Sequence, residues 1–356
     1  MPRLGIALDR WVTDVKPLRR LCEDESGVAS TVGTIMALLV FLTFLSLIVN
    51  QYVPVWMKDT EASHMSGAFG QFGTFKGSVD LQMLAALMAQ NAGVHYIPIT
   101  TFSPVTLGVD GVPIFSSPTV GNLYSLPDSS RFTTQLTYNI RGVNTKLNET
   151  SAGRIALDVL NRYYIPQSVV YENGAVIRSQ SDGQAVRADP TFEVDVVNNS
   201  VQVSWTHVSL FGQGSASGTT TEGIHSKLLG VDRQDYANVR SDLWINATTV
   251  SGVAWVAYFN RTLGIAFGVE RSEFTLPGYS FSTAYLSGQI QSLSITTPYY
   301  KLTADYKTSK LAYDIVIRIY NDWNNTKPLV SPITVVRIQH AFVNIAIAEK
   351  GAEVEI

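Results

Sequence analysis

The chain carries little charge and almost no cysteine. Asp, Glu, Lys and Arg make up 15% of its 356 residues, whereas about 25% is usual for soluble proteins. The net charge is −3 and no cluster of Lys or Arg is dense enough to neutralise a run of phosphates, which argues against nucleic-acid binding. The single cysteine, Cys22, excludes intramolecular disulfides, thiolate zinc sites and iron–sulfur clusters.

Motifs of known chemistry are also missing. The sequence contains no Walker motif, no G-x-G-x-x-G after a predicted strand and no EF-hand loop. Glu270 and Glu273 flank Arg271, which is typical of a solvated surface cluster rather than of two catalytic carboxylates. The histidines are scattered and form no metal-binding pair: His64, His95, His207, His225 and His340. We therefore expect no enzyme activity, no cofactor and no metal site.

The most informative feature is a long apolar run near the N-terminus. Val32 to Val49 is 18 residues without a charge, which is long enough to cross a bilayer as a helix. The hydroxyl groups of Thr34, Thr43 and Ser46 can bond back to the carbonyl groups of their own helix, so they cost little in lipid. The pattern predicts a transmembrane helix over residues 28–53, in contact with membrane lipid.

Charge placement predicts the orientation of this helix. Five cations precede the apolar run: Arg3, Arg10, Lys16, Arg19 and Arg20. By the positive-inside rule, residues 1–27 are a cytoplasmic tail or leader, and the long C-terminal part lies outside the cell. An uncleaved anchor is favoured over a secretory signal, because the run exceeds the usual apolar core and no A-x-A site follows it. All N-x-[ST] sequons fall on the outer side and are candidate glycosylation sites: Asn148, Asn198, Asn246, Asn260 and Asn324.

A second helical pattern follows the membrane segment. Seven residues recur at steps of three and four and predict a stalk helix over residues 54–92: Met57, Glu61, Met65, Ala68, Phe72, Phe75 and Val79. Four glycines share this segment at similar steps and are candidate helix-packing residues: Gly67, Gly70, Gly73 and Gly77. Two interpretations are open, because the glycines can face a partner helix or the protein's own sheet.

Residues 93–356 have the pattern of a β-rich extracellular head. Short alternating runs separated by turns predict an antiparallel β-sandwich-like domain, with hairpins at Asp110-Gly111 and Asn173-Gly174. Residues 249–263 have helical spacing and predict one inserted helix, whereas Phe211–Gly223 predicts a flexible exposed loop. Four tryptophans could form a sugar-binding platform: Trp205, Trp244, Trp255 and Trp323. The favoured alternative is that they pack in the core of the head. The fold class is thus mainly β with a long N-terminal α-helix.

The N-terminal segment resembles archaeal type IV pilin-like proteins, including the archaellin-like group with class III signal peptides. The resemblance rests on SGVASTVGTIMALLVF (Ser26–Phe41) and on MKDTEASHM (Met57–Met65). In the head, VTLGVDGVPIF, RYYIPQSVVYENGAVI and AWVAYF look like the ectodomain of archaeal surface proteins with that N-terminus. The resemblance implies one membrane helix, an external β head and export through a pilus-like machine. Gly27 is the candidate leader-cleavage position, although acidic residues rather than Lys or Arg precede it.

These features predict a single-pass cell-surface protein with a structural or interaction role. We expect a pilin-like subunit, or a pilus- or archaellum-associated component, that mediates assembly or adhesion and self-associates through its N-terminal helix. The alternative is a membrane-tethered binding module for polysaccharide or an S-layer. An enzyme with a noncontiguous site is the third alternative.

Overall fold

The N-terminal part of the chain is helical in a computed structural model, which describes residues 25–286, 289–324 and 330–349. Helix α1 spans Glu25–Leu47, a π-helical turn spans Ile48–Tyr52, and helix α2 spans Val53–Asn91. The π-helical turn ends two residues before Pro54, whose ring and missing N–H disturb the regular hydrogen bonds of an α-helix. By contacts, the chain divides into two compact units, Met1–Pro54 and Val55–Ile356.

The rest of the described chain is mainly strand, as the alternating patterns predict. The strands are β1 Thr100–Thr106, β2 Gly121–Leu126, β3 Arg131–Ile140, β4 Val143–Ser151, β5 Arg154–Val159, β6 Gln167–Glu172, β7 Ala175–Gln180, β8 Gly183–Ala188, β9 Phe192–Val197, β10 Ser200–Phe211, β11 Gly214–Gly218, β12 Thr221–Ala237, β13 Leu243–Thr249, β14 Ser280–Leu286, β15 Gln289–Thr296, β16 Tyr300–Lys307, β17 Ala312–Ile319 and β18 Ile333–Glu349. Helix α3, Gly252–Phe267, and a 3₁₀ turn, Arg271–Thr275, lie between β13 and β14.

The strands form three sheets. The first has the order β1-β12-β18-β10-β9, the second β11-β2-β5-β6-β7-β8, and the third β14-β15-β16-β17-β13-β3-β4. Paired strands are antiparallel except for β10 and β18, which run parallel in the first sheet. The head is therefore sandwich-like, with a parallel pair that the predicted antiparallel arrangement lacks.

Two hydrophobic cores hold the sheets together. One contains α2 with residues of the first and second sheets, and the other contains α3 with residues of all three sheets. The second sheet contributes to both cores, because alternate residues of a strand point to opposite faces: Ile155 and Leu157 lie in the α2 core and Ala156 in the α3 core. All seven residues of the predicted stalk register, from Met57 to Val79, are buried, which confirms that register.

Local turn chemistry explains which hairpins form. Asn173-Gly174 joins β6 to β7 with positive φ at both residues, which confirms that prediction. The hairpin predicted at Asp110-Gly111 is wrong, because the segment forms a loop closed by a single bridge between Val109 and Thr119. Gly111 there lies against a neighbouring main chain, where an added Cβ would approach the Ser116 carbonyl oxygen to 2.2 Å.

The prediction of a flexible loop over Phe211–Gly223 is also wrong. Residues Gly214–Gly218 form β11, which pairs with β2 along its whole length. A Cβ added at Gly214 would lie 3.0 Å from the Ile347 side chain, so the small residues permit close packing here rather than flexibility. The inserted helix is confirmed as α3, which ends at Gly268 in the left-handed conformation.

Candidate functional site

Helix α1 exposes large apolar side chains on all its sides. They include Val32, Ile35, Met36, Leu38, Leu39, Val40, Phe41, Leu42, Phe44 and Leu47. The most apolar 18-residue window of the helical stretch has a mean hydropathy of 2.6 and no buried residue. Among the described residues, this is the one helix long and apolar enough to cross a membrane. Apolar surface of this kind is stable in lipid and costly in water.

Polar groups within the apolar stretch are satisfied by their own helix. The Thr34 hydroxyl donates to the Thr31 carbonyl oxygen and the Thr43 hydroxyl to that of Leu39, each over 2.8 Å. The Asn50 side-chain amide donates to the Ser46 carbonyl oxygen over 2.8 Å. These bonds confirm the predicted back-bonding of the threonines, and they remove the cost of placing unpaired donors in hydrocarbon.

Several predicted features at the N-terminus lie outside the described residues. They are the tail cations Arg3, Arg10, Lys16, Arg19 and Arg20, together with Cys22. Gly27 lies in the first turn of α1. Cleavage at Gly27 stays a prediction.

The four candidate packing glycines lie on an open side of α2. A methyl group added at any of Gly67, Gly70, Gly73 or Gly77 would meet no other part of the protein within 4 Å. The interpretation that these glycines face the protein's own sheet is therefore wrong. Gly67 and Gly70 are exposed, whereas Gly73 and Gly77 are half-buried.

Apolar residues continue the line of the glycines towards the end of α2. Leu81, Leu84 and Met88 are exposed to 67%, 53% and 64%. Together with Thr74 and three of the four glycines they form a line at alternating steps of three and four, called here the outward face: Gly67, Gly70, Thr74, Gly77, Leu81, Leu84 and Met88. This spacing of 3.5 residues is that of a coiled-coil seam. The outward face lies opposite the buried face and carries no charge, although the solvent side of a surface helix is usually charged.

A buried carboxylate fixes the opposite side of α2 to the head. Glu61 is fully buried and accepts hydrogen bonds from the Thr119 hydroxyl, over 2.5 Å, and from the backbone N–H groups of Arg162, Tyr163 and Tyr164, over 2.6 to 3.0 Å. Burial alone would raise the pKa of Glu61, but the four hydrogen bonds outweigh it and lower the pKa below its ordinary value of 4.5. The rotation of α2 is thus set so that the outward face points away from the head.

A buried histidine network lies between the first and third sheets. His207 on β10 and His340 on β18 are neighbours across the parallel pair, with ring centroids 5.7 Å apart. Nε2 of His207 is 2.8 Å from the Thr134 hydroxyl, and Nδ1 is 2.8 Å from the Ser151 hydroxyl. Burial, with a contribution from His340, lowers the pKa of His207 to about 3, so its ring is neutral at pH 7.

His340 also lies between a serine and a carboxylate. Its Nε2 is 2.8 Å from Oγ of Ser209, and its Nδ1 is 3.3 Å from Oε2 of Glu149. This is the order of groups in a serine-hydrolase triad. However, Ser209 is only 6% exposed, and the Phe342 ring stacks on the imidazole with centroids 4.2 Å apart. A nucleophile must reach its substrate, so the geometry favours a packing role for this group.

The tryptophans do not form one platform. Trp205 and Trp255 are buried in the α3 core, which confirms the core interpretation for these two. The other two lie beneath arginine guanidinium groups: Arg318 over Trp244 at 4.8 Å and Arg240 over Trp323 at 4.6 Å. Each of these two rings therefore has one face covered by an arginine.

The sequons differ in exposure. Asn148, Asn198 and Asn324 are exposed, whereas Asn246 and Asn260 are half-buried. The rest of the Asn324 sequon lies outside the described residues. An attached glycan needs an accessible side chain, so the three exposed residues are the better acceptors.

Comparison with protein-family models, curated proteins and solved structures finds no match to this chain. The resemblance to archaeal pilin-like proteins therefore stays a prediction. Functional inference rests on the apolar helix α1, the outward face of α2 and the surface of the head.

Proposed function

We propose that the protein is a single-pass cell-surface protein of the pilin-like kind, anchored by α1 and self-associating through α2. The main support for this proposal is the outward face, a line of uncharged residues at coiled-coil spacing. It lies on a helix whose other side is fixed in the head. Side chains at this spacing fit the holes of a facing helix. The expected partner is the same face of a second copy of the chain.

Two kinds of contact support such packing. The glycines permit close approach of two helix backbones, so that dispersion contacts are made along the whole line. Leu81, Leu84 and Met88 add apolar area, and burial of each such side chain contributes about 1.5–3 kcal/mol. The energy of association therefore comes mainly from the C-terminal half of α2. The glycines determine how closely the two helices approach each other.

Anchoring is supported by α1 itself. Leu, Ile, Phe and Val each favour insertion at the centre of a membrane helix by about 0.3–0.6 kcal/mol. The tail cations favour a cytoplasmic N-terminus, and all five sequons fall on the other side. In this orientation the head faces the surroundings, where it mediates assembly or adhesion.

Protease treatment of intact cells tests this topology. A tag at Met1 should stay protected until the membrane is permeabilised, while externally added protease should degrade the head. Permeabilised cells provide the control, since both parts become accessible there. An accessible tag together with a protected head in intact cells would contradict the proposed orientation.

A binding role for the head is the second candidate function. It is favoured by one cleft on the head that combines exposed tyrosine rings with fixed amide groups.

A further inference from the structure

The cleft lies between the tip of the β7–β8 hairpin, the β16–β17 pair and the start of α3. Its volume is about 600 Å³, within the range of about 300–1,000 Å³ that is usual for small-molecule sites. Its lining includes three tyrosines of the third sheet, Tyr285, Tyr306 and Tyr313, called here the aromatic wall, and two glutamines of the second sheet, Gln180 and Gln184, called the polar wall. These residues are distinct from the outward face of α2.

The aromatic wall is partly exposed, and two of its three tyrosines pack against each other. Tyr285 is 61% exposed, and Tyr306 is half-buried. The Tyr306 ring packs edge-on against Tyr313, its cross-strand partner, with centroids 5.1 Å apart. Tyr313 is buried, and its hydroxyl donates to the Ile290 carbonyl oxygen over 3.0 Å. Tyr306 therefore presents ring surface that is held in place before a ligand binds, and Tyr285 adds exposed ring surface beside it.

The polar wall holds an amide in a fixed orientation. The Gln184 side-chain nitrogen donates to the Val250 carbonyl oxygen over 3.1 Å and to the Ser179 hydroxyl over 3.2 Å. These two bonds leave the Gln184 carbonyl oxygen, Oε1, buried without a hydrogen-bond partner among the described residues. A buried acceptor of this kind gains a hydrogen bond when a ligand hydroxyl or N–H group reaches it.

The chemistry of the cleft favours an uncharged ligand. Among the residues that the structure describes, no Lys or Arg lines it, and its one carboxylate, on Asp182, accepts a hydrogen bond from Gln180. The C–H face of a pyranose ring can stack on tyrosine while its hydroxyl groups bond to amides, so aromatic and amide walls together suit a neutral sugar.

A smaller apolar pocket adjoins the cleft and adds specificity. It has a volume of about 170 Å³ and shares Val253, Ile290 and Tyr313 with the cleft. Ala257 and Leu293 also line it. A hydroxyl group would lose its hydrogen bonds with water in this pocket, whereas a methyl group would not.

We propose that the cleft binds a neutral N-acetylated saccharide, with the sugar ring on the tyrosine wall and the acetyl methyl group in the adjoining pocket. The inference rests on the proposed exposure of the head outside the membrane for access to such a ligand. Binding itself requires only the cleft, so it can be measured whatever the topology or assembly state.

Calorimetric titration of the full chain in phosphatidylcholine nanodiscs tests the proposal. Nanodiscs avoid detergents with sugar headgroups, which would compete for the cleft. Chitotetraose and cellotetraose share a β-1,4-linked glucose backbone and differ in the acetamido group. We expect chitotetraose to bind at least tenfold more tightly than cellotetraose.

Four variants locate the binding. Tyr285→Ala and Tyr306→Ala should each weaken chitotetraose binding about tenfold, and Ala257→Leu should fill the pocket and abolish the preference over cellotetraose. Trp323→Ala removes an exposed aromatic outside the cleft and should change nothing. Tyr285 makes few contacts as an exposed residue, so that variant stays informative even if another fails to fold.

Any one of the following outcomes would overturn the proposal: no binding of chitotetraose at millimolar concentration, equal binding of the two tetrasaccharides, or unchanged binding by Tyr285→Ala and Tyr306→Ala. Tetragalacturonate is a charged probe, and tighter binding of it than of chitotetraose would equally contradict a neutral ligand. None of these results bears on protease topology or on packing of α2, so failure here is distinguishable from failure of the proposed function.

Discussion

Replacement of Glu61 by Gln tests how α2 is fixed to the head. In the native structure, one carboxylate oxygen accepts from the Thr119 hydroxyl and the Arg162 N–H, and the other from the N–H groups of Tyr163 and Tyr164. Glutamine supplies one acceptor oxygen and one NH₂ group. If the oxygen serves Tyr163 and Tyr164, the Thr119 hydroxyl can rotate to accept from the amide, but the Arg162 N–H loses its acceptor.

The cost can be worked out from these contacts. An unsatisfied buried donor costs about 1–3 kcal/mol, and the two retained bonds lose the contribution of the negative charge. We expect Glu61→Gln to lower the free energy of unfolding by about 2–4 kcal/mol. Glu193→Gln, a matched change at an exposed residue of β9, should have almost no effect.

Urea unfolding followed by tryptophan fluorescence measures this difference, since Trp205 and Trp255 are buried in the head. The pH dependence provides a second readout. Because the folded pKa of Glu61 is lowered, its stabilising contribution is present above the ordinary value of 4.5 and is lost as pH falls through the folded pKa. The free energy of unfolding of the Glu61→Gln variant should not show this fall at low pH. A variant within about 0.5 kcal/mol of the parent would refute the reasoning.

Three further predictions concern the head and α2. The pKa of His207 is about 3 in the folded state and 6.5 ordinarily, so His207 takes up a proton when the protein unfolds at pH 5. The free energy of unfolding should therefore fall by about 2 kcal/mol from pH 7 to pH 5. Urea unfolding at several pH values should show a smaller fall for His207→Gln. Gly121→Ala places a Cβ 1.8 Å from a main-chain carbonyl oxygen and should lower the free energy of unfolding by at least about 2 kcal/mol. At Gly70 an added Cβ meets no contact, so Gly70→Ala should raise the free energy of unfolding by about 0.5–1 kcal/mol. Thermal unfolding compares the two variants. Glycopeptide mass spectrometry should find Asn148 modified to a greater extent than Asn260, and the reverse order would contradict the exposure argument.

Features encoded by nearby residues were predictable from the sequence. The buried register of α2 follows from apolar residues at helical spacing, and the β6–β7 hairpin follows from Asn173-Gly174, whose residues tolerate positive φ. The apolar stretch of α1 is recognisable because a membrane span needs about 20 apolar residues in sequence. Each signal needs no knowledge of the rest of the chain.

Features that join distant segments were not predictable in this way. The bond between the Glu61 side chain and the Arg162 N–H spans 101 residues, and that between His340 and Glu149 spans 191. No local pattern encodes such pairs. For the same reason the sequence predicts a loop where β11 forms. The glycines and serines of β11 have low strand preference, and only packing against Ile347 shows why small residues are needed there.

The outward face is intermediate between these cases. Its glycines stand out in the sequence, but whether they face the head depends on the rotation of α2, which Glu61 and the buried apolar residues fix in three dimensions. Leu81, Leu84 and Met88 could equally be core residues by composition. Their exposure reveals that they continue the glycine line.

Disulfide crosslinking between copies tests the proposed packing of α2 most directly. Cys22 is the single cysteine, so a Cys22→Ser background permits one new cysteine on the outward face, Thr74→Cys. Oxidation in isolated membranes should then link two chains efficiently. A cysteine at the exposed head residue Glu193 serves as the control and should crosslink poorly.

The decisive comparison adds bulk to the outward face. Gly70→Leu with Gly77→Leu should reduce Thr74→Cys crosslinking at least fivefold, because the leucine side chains separate the backbones. The free energy of unfolding of the head should stay the same or rise, since a Cβ at either position meets no other part of the protein within 4 Å and leucine has the higher helix propensity. Gly230→Leu, at an open strand position, should leave crosslinking unchanged. Undiminished crosslinking in the double-leucine variant would contradict association through the outward face.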